Sequence, residues 1–72
     1  MATPLDPLIR KLIVRMHDAD PVVRLNAVGA LRLHGPRAAG AIPALTALTA
    51  DPDPKVRAEA QRALARLRQT AA

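Results

Sequence analysis

The sequence predicts an all-α protein of four helices that form two helical hairpins. Half of the residues are hydrophobic, but Phe, Trp and Tyr are absent, so aliphatic side chains and alanine must build the core. Alanine favours helices, and β-branched strand formers are few. Apolar residues recur at helical spacing, and the sequence repeats itself with a period of 33 residues. These three observations support the fold class.

The internal repeat divides the chain into two similar units. A shift of 33 places superimposes Asp18-Ala-Asp-Pro-Val-Val-Arg24 on Asp51-Pro-Asp-Pro-Lys-Val-Arg57. Further identities follow along the next helix: Ala27 with Ala60, Ala30 with Ala63, and Leu31 with Leu64. The identities fall at turn and core positions, as in repeat proteins. We therefore expect one domain over residues 1–72, with repeat 1 at about 3–34 and repeat 2 at about 36–69.

The first helix is expected to start with Thr3, a favourable N-cap residue, and with Pro4 at the first helical position, where no amide donor is needed. The turn that begins at Asp18 ends this helix. Its predicted inward face consists of large apolar residues at helical spacing: Leu5, Leu8, Ile9, Leu12, Ile13 and Met16.

The second helix is predicted from about Pro21 to Leu33. Asp20 can accept a hydrogen bond from a free amide at the helix start, and Pro21 supplies a preset φ. Gly35 and Pro36 end the helix, because Gly adopts the left-handed conformation and Pro cannot continue the helix. The predicted inward residues are Val23, Ala27, Ala30 and Leu31.

The third and fourth helices repeat this arrangement. The third is predicted at about 36–50, with a kink or a second start at Pro43, which lacks an amide proton. The fourth is predicted at about 54–69. Their large inward residues are Ile42, Leu45 and Leu48 in the third helix and Val56, Leu64 and Leu67 in the fourth.

The pattern Asp-x-Asp-Pro-x-Val-Arg-x-x-Ala-x-x-Ala-Leu occurs at residues 18–31 and again at 51–64. With this pattern the chain resembles the HEAT repeat family. The stretch Gly35-Pro-Arg-Ala-Ala-Gly-Ala-Ile-Pro-Ala-Leu45 is similar to a narrower bacterial subgroup, the phycobilisome-lyase HEAT-like repeats. The resemblance implies a segment of α-solenoid, in which the second helix of each hairpin lies on the inner, concave side.

The resemblance also implies a structural role for the charged residues of the turns. In the HEAT family the turn Asp and the Arg after Val commonly bond within and between repeats, which implies a ladder of Asp18, Asp20, Arg24, Asp51, Asp53 and Arg57. The chemistry of these residues agrees with that role, because carboxylates are favourable at a helix N-terminus and pair well with guanidinium groups.

The composition offers no constellation for catalysis. Cysteine and serine are absent, and His17 and His34 each stand at the end of a predicted helix without further metal ligands. The three glycines follow no strand and form no phosphate-binding loop. We therefore expect a non-enzymatic protein with no cofactor and no metal.

Two surfaces are candidates for binding. Leu25 and Val28 of the second helix, and Val14 of the first, are apolar residues placed away from the predicted inward stripes and form a candidate interface. Lys55, Arg62 and Arg66 lie on one side of the fourth helix and form a candidate basic face. The alternative interpretation is that these cations belong to a solvated helix face that binds no ligand.

These features favour a protein-binding or self-assembling scaffold. A homodimer is the favoured assembly, and a head-to-tail filament is the second choice. The net charge of +5 leaves a nucleic-acid backbone binder as the alternative, and an accessory role in chromophore attachment follows only from the subgroup resemblance. The N-terminus lacks a signal-peptide pattern, no stretch is long and apolar enough to span a membrane, and cysteine is absent, so we expect a cytoplasmic protein.

Overall fold

The structure is a computed structural model that describes residues 6–69, and within that range it is helical without any strand. This confirms the all-α class. The elements in chain order are α1 (Pro7–Arg15), α2 (Pro21–His34), a 3₁₀ segment (Gly35–Ala41), α3 (Ile42–Leu48) and α4 (Pro54–Leu67). None of the described helices is both long enough and apolar enough to cross a membrane.

An Asp-Pro pair starts α1, α2 and α4. Asp6, Asp20 and Asp53 are the N-cap residues, and each carboxylate accepts a hydrogen bond from the backbone amide two residues later, at 2.8–2.9 Å. The following proline occupies the first helical position, where its missing amide proton costs nothing.

The predicted start of the first helix was therefore wrong. Thr3 and Pro4 lie outside the described residues, and α1 begins at Pro7 with Asp6 as its cap. The Asp6-Pro7 pair at this start has the same arrangement as the Asp-Pro pairs before α2 and α4.

The connection between the repeats is tighter than predicted. Gly35 ends α2 with a φ of 65°, a conformation that is strained for any residue with a Cβ, and its amide donates to the carbonyls of Leu31 and Arg32. The chain then forms the 3₁₀ segment instead of one helix over 36–50, with a non-helical Ala38 inside it. A kink or a second helix start was expected at Pro43, and the interruption of the helix lies just before this residue. Pro43 itself is in the first turn of α3, where a helix needs no amide donor.

Packing of α2 against α4 is the most extensive contact between helices, while α1 packs on α2 and α3 packs on α4. The largest fully buried side chains are Met16, Val28, Leu31, Leu45, Val56 and Leu67. Alanines at positions 27, 60 and 63 are also buried, and their small side chains let the helices approach closely. Leu8, predicted to face inward, is half exposed, and Leu5 lies outside the described residues.

Candidate functional site

The turn before the second helix of each repeat has the same internal hydrogen bonds. The carboxylates of Asp18 and Asp51 accept from the amides of Asp20 and Asp53, at 2.8 and 2.9 Å. The Nη1 atom of Arg24 donates to the carbonyls of residues 18 and 19, and the Nη1 atom of Arg57 donates to those of residues 51 and 52. Each arginine thus closes the turn that precedes its own helix.

Arg24 also joins the two repeats. Its Nε donates to Asp51 Oδ1 at 2.8 Å and its Nη2 donates to Asp51 Oδ2 at 3.1 Å, so the guanidinium grips the carboxylate with two parallel bonds. Asp51 is only 6% exposed. Burial and a two-bond geometry distinguish this pair from ordinary surface ion pairs, which contribute little.

The ion pair shifts the titration of both groups. Burial alone would raise the pKa of the Asp51 carboxyl, but hydrogen bonds from Arg24 and from the Asp53 amide, helped by the charge of Arg57, hold it below its ordinary value. The hydrogen bond to Asp51 raises the pKa of the Arg24 guanidinium. The pair therefore remains fully charged at neutral pH.

A second ion pair between the repeats was missed by sequence reasoning. Glu59 of α4 is buried, accepts from Arg32 Nε of α2 at 2.6 Å, and lies 3.5 Å from Arg62 Nη1. One signal could have found it, because Arg32 and Glu59 are 27 residues apart, the same separation as Arg24 and Asp51.

A groove runs between α2 and α4 above this second ion pair. It is open to solvent and has a volume of about 770 Å³. Its apolar lining includes Leu25, Leu33 and Ala58, and its charged lining includes Arg32, Lys55, Glu59 and Arg62. Leu33 is 80% exposed, the largest exposed fraction among the exposed large apolar side chains of the described residues.

The three residues of the candidate interface predicted from the sequence do not form one surface in the structure. Leu25 lines the groove, and Val14 is 71% exposed on α1. Val28 has no exposed surface, so its assignment to an interface was wrong. The reason is that α2 is covered by both α1 and α4 and buries a wider arc than a helix with one neighbour. Leu33 and Val22 are the exposed apolar residues of α2 instead.

The candidate basic face is also divided. Lys55 and Arg62 line the groove. Arg66 lies farther along α4, where its Nη1 donates to Gln69 Oε1 at 2.9 Å. The groove therefore combines part of the predicted interface with part of the predicted basic face.

The two histidines lie apart from this groove. His17 is exposed and its Nδ1 lies 3.0 Å from the Ile13 carbonyl, while His34 is the last residue of α2. Within residues 6–69, no three His, Asp or Glu side chains come together as metal ligands would.

A comparison with known protein families agrees with the internal repeat. The sequence model of the family described as HEAT repeats matches residues 9–72. Comparisons with curated proteins and with solved structures give no match. The matched range includes both turns and every described helix apart from the first residues of α1. The chain belongs to the HEAT repeat family.

Proposed function

We propose that the chain is a non-catalytic protein-interaction module, a short α-solenoid segment that binds a partner in the groove between α2 and α4. HEAT repeats generally serve as protein-interaction scaffolds. The groove supports this proposal, because it places the exposed Leu33 beside the cationic side chains of Lys55 and Arg62 on one face. The narrower phycobilisome-lyase assignment remains a prediction.

The apolar lining of the groove suits an apolar side chain of the partner. Leu33 is exposed and Leu25 is partly buried, so covering them removes apolar surface from water at about 25 cal/mol per Å². Gly29, which has no side chain, also lines the groove. Interface cores that bind tightly combine such an apolar centre with a polar rim.

The charged lining of the groove selects the charge of the partner. Glu59 is paired with both Arg32 and Arg62, so the three side chains together carry a net positive charge, to which Lys55 adds. Complementary charge gives specificity and speeds encounter. We therefore propose a partner segment with an apolar residue flanked by Asp or Glu.

A nucleic-acid backbone is the second candidate, because Lys55 and Arg62 are both exposed in the charged lining of the groove. Aromatic residues for base stacking are absent from the sequence, so contacts of this kind would go to phosphates. Phosphate binding weakens steeply with salt, whereas an interface centred on Leu33 keeps much of its affinity.

The proposal predicts that Leu33→Glu strongly weakens the binding of groove ligands. Peptides selected from a displayed library against the wild-type chain should carry an apolar residue beside Asp or Glu. Their dissociation constants should rise at least about tenfold on Leu33→Glu, since the change removes apolar contact and adds repulsion. Fluorescence anisotropy at dilute protein measures this effect.

The matched control is Val14→Glu, which makes the same kind of change at an exposed apolar residue of α1. This variant should bind the selected peptides as the wild type does. Equal loss in both variants, or no enrichment of apolar-acidic peptides, would contradict the groove. Tight binding to a DNA duplex that disappears at high salt would favour the second candidate instead.

A further inference from the structure

Arg57 is equivalent to Arg24 in the repeat, but it does not form the ion pair that Arg24 forms with Asp51. Arg24 and Arg57 each use Nη1 to close their own turn. The Nε and Nη2 edge of Arg24 then grips Asp51 of the next repeat. The same edge of Arg57 contacts no carboxylate among residues 6–69. It is therefore prepared to receive a turn carboxylate of the kind that Asp51 supplies.

Asp18 is equivalent to Asp51 in the repeat, and its carboxylate is the second group that lacks the corresponding ion pair within residues 6–69. One oxygen of Asp18 accepts from the Asp20 amide, as one oxygen of Asp51 accepts from the Asp53 amide. Asp51 is buried against Arg24, whereas Asp18 is exposed and its carboxylate forms no ion pair with an arginine within the described part of the chain. The two open groups have opposite charge and lie in opposite repeats.

Apolar burial shows the same asymmetry between the repeats. Val56 and Ala63 are fully buried in repeat 2, which packs against repeat 1. Their counterparts Val23 and Ala30 are only partly buried, and both line a groove of about 370 Å³ on the side of α2 towards α1. Repeat 1 therefore presents partly exposed apolar surface at positions that are covered in repeat 2.

We propose that a second copy of this chain stacks head to tail on the first, with Arg57 of one copy gripping Asp18 of the next. The contact would reproduce the Arg24–Asp51 bond between molecules. It would also cover Val23 and Ala30, as Val56 and Ala63 are covered within one chain. The charge complementarity of the two open groups selects a second copy, because each copy carries both halves of the contact.

The same charges argue against the two-fold dimer that the sequence favoured. A two-fold contact uses the same end of both copies, so it would contain either two Arg57 side chains or two Asp18 side chains and could not form the Arg57–Asp18 bond. The alternative dimer surface, which was predicted to contain Leu25 and Val28, is reduced because Val28 is buried in the core. Head-to-tail contact leaves one free Arg57 and one free Asp18 at the ends of each assembly, so growth is open-ended.

Sedimentation equilibrium of the 72-residue chain tests this proposal with Asp18→Asn. The weight-average mass of the wild type should rise above 7.7 kDa with concentration and continue past twice that value without a plateau. Asparagine keeps an oxygen for the Asp20 amide but removes the charge that Arg57 needs. The association constant should fall at least about tenfold, and salt should weaken association of the wild type.

Asp6→Asn is the matched control, because Asp6 is also an exposed carboxylate that accepts from the amide two residues later. It should change the association constant by less than about twofold, as expected for a distant surface charge. Charge reversal provides a second test. Asp18→Arg and Arg57→Asp should each remain monomeric alone, and an equal mixture of the two should associate again, which a folding defect would not produce.

A 7.7 kDa species at every concentration would overturn the stacking proposal. A mass that levels off at the dimer, or association that survives Asp18→Asn unchanged, would overturn it as well. Peptide binding in the groove is measured at dilute protein with Leu33→Glu, so either proposal can fail while the other stands.

Discussion

Leu31→Ala should remove a large part of the stability of this domain. Leu31 has no exposed surface and belongs to the core that α1, α2 and α4 share. Truncating a fully buried leucine costs about 2–5 kcal/mol, through lost apolar burial and the cavity left behind. Domains of this kind have total stabilities of about 5–15 kcal/mol, so the fraction lost is large. Urea denaturation followed by circular dichroism measures it.

Leu33→Ala is the matched control for this prediction. The two leucines lie two positions apart on α2, and the substitution changes helix propensity equally at both, but Leu33 is 80% exposed. Its truncation should change the free energy of unfolding by no more than about 0.5 kcal/mol. Equal losses at the two positions would show that the rotation of α2 about its axis is wrong.

Asp51→Asn should destabilise the fold by about 2–3 kcal/mol at pH 7, because hydrogen bonds to charged groups contribute about 1.5–3 kcal/mol and buried donors lose a partner. The Asp51 carboxylate accepts three hydrogen bonds, two from Arg24 and one from the Asp53 amide. An amide side chain has one oxygen, and its NH₂ group would face a donor. Asp18→Asn, at the equivalent exposed position, should change stability by about 0.5 kcal/mol or less in dilute solution.

The effect of Asp51→Asn should depend on pH in a defined direction. The pKa of Asp51 lies below its ordinary value of 3.8 in the folded chain, so the carboxylate stabilises the fold at pH values above 3.8. This contribution is lost as the pH falls through the folded pKa. The difference in unfolding free energy between wild type and Asp51→Asn should therefore be constant near neutral pH and shrink below 3.8. A difference that grows on acidification would contradict the assigned ion pair.

The features that sequence reasoning predicted well depend on neighbours in the chain. Asp20 and Pro21, or Asp53 and Pro54, determine a helix start through groups only two or three residues apart. The positive φ of Gly35 belongs to the same class of local signal. The first helix was predicted to start at Thr3, but it begins one Asp-Pro pair later, because Asp6 and Pro7 form the same kind of start as the pairs before α2 and α4.

The features that could not be predicted depend on how the helices pack. Val28 and Leu33 have similar apolar character, and only the position of α4 buries the first and exposes the second. The buried Glu59 and its partner Arg32 come from different repeats, and the 33-residue period contains no second copy of this pair. Its one signal in the sequence is the 27-residue separation that it shares with the first ion pair. The lining of the groove depends on the exposure of Leu33 and on the ion pair of Glu59, so it could not be derived from periodicity alone.

Chemical-shift mapping of a selected peptide on the ¹⁵N-labelled chain tests whether α2 and α4 form the binding surface. The groove predicts that the largest amide shift changes fall at Gly29, Leu33, Ala58 and Arg62, with residues 7–15 of α1 unchanged. The Leu33→Glu variant should show much weaker changes at the same peptide concentration. Shift changes concentrated on α1 or the 3₁₀ segment, with the groove amides unchanged, would show that the groove is not the binding surface.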